Sequence, residues 1–458
     1  MTATPTDSGP GRFTGLGPLM LVWSGQAVSL VGSAAVRFAF VVDVWSTGQR
    51  ASAVTALSLC ALLPQALLSP IAGAIVDRMR KRNALQLADA GGLLVVGCLA
   101  LLHYLGQLHS WQIYVATALL GACSAFQFPA LSSAVPLLVR KDQLGRANGL
   151  LSGAKSAAGI GGPALGGILL TLFGIGPTLL VDLASYAVAL VGVRLVRLTG
   201  DRPAPPSGPR RRITAESAEG LRYLFRTPGL RDLIVNFCVV NLVMVFGFAL
   251  IQPMVLLRAD STALAAVNTA IGVGGVTGGL LMAAWGGPRD RGRGMMLGVI
   301  GMCLSALVGM AFADGVAGWS VAVLIGALLM TVVNSQMHAI VQTKVPQEWQ
   351  GRVFGAVMFL GYISVPLATV LSGPLADHVF EPQAAHGTGL FTVLGPLFGD
   401  RPGSGMAGMF LLAGLAGIGV SLWGLASRNI REIDLVMPDA DDTRDVREDE
   451  GVRDEVRA

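Results

Sequence analysis

From Leu19 onward the chain is a succession of twelve long apolar runs divided by short polar breaks. The runs lie near Leu19–Val44, Ala53–Val76, Ala84–Gly106, Trp111–Leu138, Ala147–Phe173 and Pro177–Val196. After a polar segment they resume near Leu230–Leu257, Leu264–Trp285, Met295–Ala313, Trp319–Val345, Val353–Phe380 and Gly405–Ala426. Each holds about 19 to 28 residues, enough to cross ~30 Å of hydrocarbon as a helix. In lipid every backbone N–H and C=O must be satisfied within the protein, so such runs predict helices throughout. Composition agrees: 53% of residues are hydrophobic and 13% charged, against about 25% charged in a soluble domain. The expected fold is therefore an all-α polytopic membrane protein with twelve transmembrane helices in two six-helix pseudo-repeats.

The expected organisation is an N-terminal tail over 1–15, a six-helix bundle over 16–198, a cytoplasmic linker over 199–228, a second bundle over 229–428 and a disordered charged tail over 429–458. The first residues are polar and carry no signal-peptide core, so the first run stays on as a helix. The linker is Pro/Arg-rich from Arg202 to Arg212. It turns amphipathic from Ile213 to Phe225, where Leu221, Leu224 and Phe225 can share one helical face. Leu390–Phe398 is apolar but too short to span, and reads as an interfacial helix or re-entrant piece.

Orientation follows from basic residues. One set of loops carries Arg78, Arg80, Lys81 and Arg82, then Arg140, Lys141 and Arg146, then Arg289, Arg291 and Arg293, and finally Lys344 and Arg352. The opposite set has little beyond Arg50, Arg258 and Arg401. Both termini are thus expected in the cytoplasm of a cell whose inner (plasma) membrane holds the protein. The net charge of +5 is accounted for by this loop bias, and no nucleic-acid module is visible. Cys60, Cys98, Cys123, Cys238 and Cys303 all fall in apolar runs without metal-ligand spacing. No metal site and no cofactor is expected.

The two halves echo each other. Val139–Gly149 and Val345–Gly355 share the pattern V-x-x-acid-x-x-G-R-x-x-G, and each copy follows the fourth run of its half. Duplication explains the same pattern at the same topological place. Parallel six-helix repeats are an architecture of alternating-access transporters.

Five segments resemble the major facilitator superfamily, spread over nearly the whole chain outside its tails. The loop after the second run reads G-A-I-V-D-R-M-R-K-R-N-A-L from Gly73 to Leu85 and is similar to the family's G-x-x-x-D-R-x-G-R-R-x-x-L. Arg80 stands where the family prefers Gly. The resemblance implies a conformational latch of Gly73, Asp77, Arg78 and Arg82, with the arginines bridging to acids or helix C-termini. The fifth run, with Gly162, Pro163, Gly166 and Gly167, is similar to the antiporter signature ending G-P-x-x-G-G, although Ala158 replaces one expected Gly. Pro163 removes a backbone hydrogen bond and the glycines allow close helix approach, which implies a kinked seam of the export type. Trp285–Arg293, Pro346–Val353 and Leu394–Gly399 look like the drug- and siderophore-exporting branch, which includes enterobactin- and macrolide-exporter-like proteins. Thr117 occupies the position at which many proton-driven relatives carry an Arg.

Charges inside spans are expensive and functional by default. Here they are Arg37, Asp89, Lys155 and Asp182, with Asp43 near an outer end. Arg37 lies roughly 27 Å along its helix from Leu19, and Asp43 or Asp182 is its expected partner. A carboxylate that loses its pairing in one state can carry a coupling proton. Gln127, Asn236, Asn241, Asn334 and His338 are candidates for a substrate cavity, with Gln252, Gln336 and Gln342 on the same spans. Gly149–Ser156 lacks the glycine that must precede the Lys of a phosphate loop, and no H-E-x-x-H occurs. No enzymatic constellation is present.

The expectation is secondary active export of a small amphipathic molecule (a drug, siderophore or secondary metabolite) by proton antiport. The partners are the substrate, protons and the lipid bilayer, with no nucleic acid, and the protein is a monomer. A facilitator or uptake symporter of the same fold is the alternative, ahead of a membrane sensor or an intramembrane enzyme.

Overall fold

The computed structural model describes residues 16–139, 144–196, 221–399 and 401–437. Its twelve long helices follow the expected order. In the first half they are α1 (Leu16–Gly48), α2 (Ala51–Arg78), α3 (Lys81–Tyr104), α4 (Ser110–Leu138), α5 (Leu144–Phe173) and α6 (Ile175–Leu195). In the second they are α7 (Pro228–Arg258), α8 (Ser261–Trp285), α9 (Arg291–Phe312), α10 (Gly315–Lys344), α11 (Gln347–Leu375) and α12 (Ser404–Ala426). Among the described residues, eleven of these are long and apolar enough to cross a membrane. The twelfth, α11, has 29 residues. Large apolar side chains such as Leu67, Leu94, Leu172 and Leu280 stay about two-thirds exposed. On a chain of this composition they form a surface for lipid rather than water.

The chain divides into two compact units, residues 1–47 with 57–207 and residues 48–56 with 208–458. In the first unit α1 runs against α6 and α5 at close range. A Cβ on Gly25 would touch the backbone of Ala189, and one on Gly32 would lie 2.6 Å from Ser185 Oγ. On the other side, a Cβ on Gly166 would lie 2.6 Å from the Ala35 carbonyl oxygen, and one on Gly162 would overlap Ala34. In the second unit Gly274 and Gly278 of α8 bring its backbone onto Leu324 and Leu328 of α10. Small residues one turn apart are the usual means of such approach between membrane helices.

The duplicated motif has a duplicated backbone. Val139 and Val345 cap α4 and α10 in extended conformation (φ −125°, ψ 158° and φ −106°, ψ 126°), and each N–H bonds to the carbonyl four residues earlier. The intervening polar residues 140–143 lie outside the described set.

The second unit departs from regular α-helix twice, at the π-helical turns Cys303–Gly309 within α9 and Ala376–Phe380 after α11. Two short helices then precede α12, Glu381–His386 and Phe391–Phe398. The second matches the apolar segment too short to span. Phe391 and Phe398 are buried, whereas Leu390, Val393 and Leu397 are exposed.

The expected disordered tail needs correcting at its start. Residues Arg428–Arg431 and Ile433–Val436 are helical, with Ile430 and Ile433 fully buried. Those two isoleucines supply an apolar anchor that the surrounding charge density masks in sequence. Asp434 binds this strap to its own unit: its carboxylate accepts from the Arg291 N–H (3.1 Å) and pairs with Lys344 Nζ (3.5 Å). Lys344 is only 3% exposed and donates to the carbonyls of Asp434 and Met437. Residues 1–15 and 438–458, and most of the linker, lie outside the described set. Of the linker's apolar face Leu224 is buried and Phe225 exposed.

Candidate functional site

The first unit contains two buried polar centres, each built around one carboxylate. Asp89 on α3 is fully buried. Gln26 of α1 donates to its Oδ2 at 2.6 Å and Gln127 of α4 to its Oδ1 at 2.9 Å, while Gln127 also reaches Gln26 Oε1 at 3.1 Å. Three helices thus meet at one carboxylate through neutral donors. A buried charge is tolerable when its lone pairs are satisfied in this way.

Asp182 on α6 is equally buried. Its Oδ1 accepts from Ser33 of α1 and from Ser185, one turn along its own helix, each at 3.0 Å. Its Oδ2 has no hydrogen-bond partner among the described residues. The Tyr186 hydroxyl lies 3.0 Å from Ser33 Oγ. Ser33 has one hydroxyl hydrogen, which it gives to the carboxylate, so Tyr186 donates to Ser33. Arg37, one turn beyond Ser33, is exposed and acts on Asp182 through its field. No direct ion pair joins them among the described residues.

The other expected charges are placed differently. Asp43 is half-buried at the end of α1, within electrostatic reach of His103 on α3. Lys155 is exposed on α5.

Of the expected latch, Gly73, Asp77 and Arg78 fall in the last turns of α2, and their side chains lie outside the described set. Arg82 is described. Its Nη2 donates to the Arg194 carbonyl at 2.6 Å, at the C-terminal end of α6 in the same unit. A guanidinium at a helix C-terminus is favoured by the exposed carbonyls there. Of the expected seam, Pro163 sits within α5, Gly162 and Gly166 meet Ala34 and Ala35 as described, and Gly167 is buried.

The expected cavity residues do not share one environment. Gln127 belongs to the Asp89 centre. Asn236 is buried and donates to the Val420 carbonyl of α12 at 2.8 Å, which ties α7 to α12. Asn241 and Asn334 are half-buried, the Asn241 Oδ1 without a hydrogen-bond partner among the described residues, and His338 is exposed. In the second unit a cavity of about 360 Å³ opens beside Arg258, Asp314, Trp319 and Arg401, where Arg401 pairs with Asp314 at 2.8 Å.

Sequence reasoning by charge found both carboxylates but missed Gln26, Ser29, Ser33, Ser185 and Tyr186. The signal was present: Gln26, Ser29, Ser33 and Arg37 recur at spacings of three and four along one apolar helix.

Comparison with known proteins gives consistent results. The sequence profile of the Major Facilitator Superfamily matches residues 22–369. Macrolide efflux protein A of Streptococcus pyogenes is 25% identical over 367 residues, covering 78% of this chain and 89% of that one. The multidrug efflux pump Tap of Mycolicibacterium fortuitum is 26% identical over 369 residues, covering 79% and 90%. Among solved structures, a bacterial homologue of the human lysosomal transporter Spinster, in an inward-facing unoccupied conformation, aligns over 92% of this chain and 98% of its own. Its TM-score is 0.67 at 13% identity, a likeness of fold.

Proposed function

The chain belongs to the Major Facilitator Superfamily, and from that premise we propose that it exports a small amphipathic molecule by proton antiport. It is a multi-pass membrane transporter, not an enzyme, and its partners include a small-molecule substrate and the lipid bilayer. The reading beyond this rests on one observation above all: two carboxylates, Asp89 and Asp182, are fully buried in the first unit and, among the described residues, bonded only by neutral donors. Structural ion pairs neutralise a buried acid with a bonded cation. An acid held by amides and hydroxyls instead can take up and release a proton with little rearrangement of its neighbours.

Export as the direction is supported by the relatives named for macrolide and multidrug efflux and by the glycine-lined α5 seam. In this scheme a proton enters from outside and neutralises a carboxyl, which favours one arrangement of the halves. In that arrangement the proton is lost to the cytoplasm and the substrate is taken up from it, and the deprotonated, loaded protein favours the other, which releases the substrate outside. Both termini face the cytoplasm, and the protein acts as a monomer in the plasma membrane. Asp77, Arg78 and Arg82 hold one end state.

The test is uptake into inverted membrane vesicles, with macrolides, other hydrophobic drugs and siderophores as probes. Accumulation should follow an imposed pH gradient and collapse with a protonophore. Movement indifferent to the gradient would instead make the protein a facilitator.

A further inference from the structure

The cleft of about 360 Å³ in the second unit lies where α7 ends and α10 begins, at the opposite end of that bundle from the strap. Its lining is divided. Leu257, Val316 and Trp319 form an apolar wall, while Arg258, Asp314 and Arg401 carry its charge. Two guanidiniums therefore line it against one carboxylate. Asp314 is taken by Arg401 at 2.8 Å. Arg258 donates its Nε to the Pro402 carbonyl at 2.9 Å and, among the described residues, makes no ion pair. Two further acids of this end are engaged elsewhere. Glu381, whose field reaches Arg258, accepts from the Met406 N–H of α12, and Asp260 accepts from the Ala263 N–H of α8.

The carboxylate in the cleft is a replaceable one. Asp314 occupies the N-cap position of α10, yet its side chain caps none of that helix's N–H groups and is turned to Arg401 instead. An anion that took Arg401 would free Asp314 to bond the first N–H groups of its own helix, the usual service of an Asp in that place. Both members of the pair are exposed, so parting them costs little. An apolar surface adjoins the charged one. Phe312, shortly before Asp314, stacks on Phe398, shortly before Arg401, with 5.4 Å between ring centroids. Phe312, Val316 and Leu397 are exposed.

From this geometry we propose that the cleft binds an amphiphile with a single oxyanion head, a carboxylate or phosphodiester on an apolar chain. The head sits between Arg258 and Arg401 in place of the Asp314 carboxylate, and the chain runs past Val316 toward Phe312 and Leu397. Guanidinium donors match the planar spread of oxyanion oxygens, and the apolar wall adds contact that a bare inorganic ion cannot use. Such a ligand has two sources, a phospholipid of the surrounding leaflet or a free organic anion. The site is separate from the carboxylate centres of the first unit and does not depend on proton antiport.

The experiment uses the full chain in an uncharged detergent, with hexanoate as the probe and acetate and hexanol as head and chain alone. The midpoint of thermal denaturation, followed against concentration, gives the apparent affinity. Hexanoate should raise the midpoint saturably and beyond either control. Arg401→Gln and Arg258→Gln should weaken binding at least about tenfold. Asp314→Asn removes the competing charge, keeps an N-cap residue and should tighten binding about threefold or more. If Arg258→Gln does not fold, the exposed pair decides alone. The opposite signs separate a ligand site from a structural ion pair, in which both variants would lower the ligand-free midpoint and leave the response to hexanoate unchanged. No saturable rise in the parent, an equal rise in Arg401→Gln, or weaker binding by Asp314→Asn overturns the proposal. Phosphatidylcholine nanodiscs with and without phosphatidylglycerol then distinguish the sources. Loss of the hexanoate response in phosphatidylglycerol identifies a lipid headgroup as the occupant, and an unchanged response assigns the cleft to a free anion.

Discussion

A carboxylate set between apolar helices loses the hydration that supports its charge, so Asp89 depends on the donors its neighbours bring. Asp89→Leu would leave the Gln26 amide without its acceptor and Gln127 with only Gln26 Oε1, at a cost of about 1–3 kcal/mol, whereas Asp89→Asn keeps one acceptor and lets a glutamine amide turn. The Asn variant should remain folded, destabilised by about 1 kcal/mol, yet lose gradient-driven transport while retaining counterflow. A normal gradient response in Asp89→Asn would remove this residue from the coupling scheme. Glu381, outside the spans, gives a second residue-scale prediction. Burial pushes its carboxyl above the ordinary value, against the lowering effect of the Met406 and Gly403 N–H groups and of Arg258. An acid whose folded value is raised stabilises the fold relatively at low pH, and that advantage fades as pH rises through the raised value. Glu381→Gln still offers an oxygen to the Met406 N–H, which the native side chain binds at 2.8 Å. It should remove the weakening of the α12 N-terminus with rising pH, read as the pH dependence of amide exchange at Met406. Sequence made Asp89 visible because charge in an apolar run is rare. Gln26, Ser29 and Ser33 stayed hidden, because one polar side chain in a membrane helix is common and only their shared face gives them meaning.

Elements meet at positions where a side chain has been omitted, and those positions separate packing from helix propensity. In an isolated helix Gly→Ala stabilises by roughly 0.5–1 kcal/mol. At Gly159 of α5 nothing stands within 4 Å of an added Cβ, while at Gly166 the Ala35 carbonyl is 2.6 Å away. Gly159→Ala should therefore be neutral or stabilising, and Gly166→Ala destabilising by about 1–3 kcal/mol, as read by thermal denaturation in detergent. Equal behaviour of the two would mean that α5 does not use this seam. The glycine motif was legible in sequence, but its partner helix was not, since Ala34 and Ala35 carry no pattern of their own. The strap after α12 is the opposite case. Its charges read as a solvated tail, and only the burial of Ile430 and Ile433 reveals docking. Asp434→Ala leaves Lys344 and Arg291 without that carboxylate and should cost about 1–3 kcal/mol, with earlier proteolytic loss of the C-terminus. Unchanged stability would assign the anchoring to the isoleucines alone.

At the scale of the molecule, the repeated backbone at Val139 and Val345 and the order of twelve helices were the most legible features, because lipid admits so few ways of satisfying a backbone. Orientation is a statement about charge and can be tested by geometry. Ten spans lie between the α1–α2 turn and the turn preceding α12, and an even number of crossings returns the chain to the side it left. In a cysteine-free background, Gln49→Cys and Thr388→Cys should therefore react with a membrane-impermeant maleimide on intact right-side-out vesicles. Arg80→Cys, between α2 and α3, and Arg293→Cys, in the first turn of α9, should react only after permeabilisation. If all four invert together, the helix count stands and the charge argument fails. If Gln49 and Thr388 report opposite sides, the count itself is wrong, because no arrangement of an even number of crossings separates them. The basic loops make inversion costly, since several arginines would have to be translocated at once. The labelling pattern thus tests the two-bundle architecture on which every coupling argument depends.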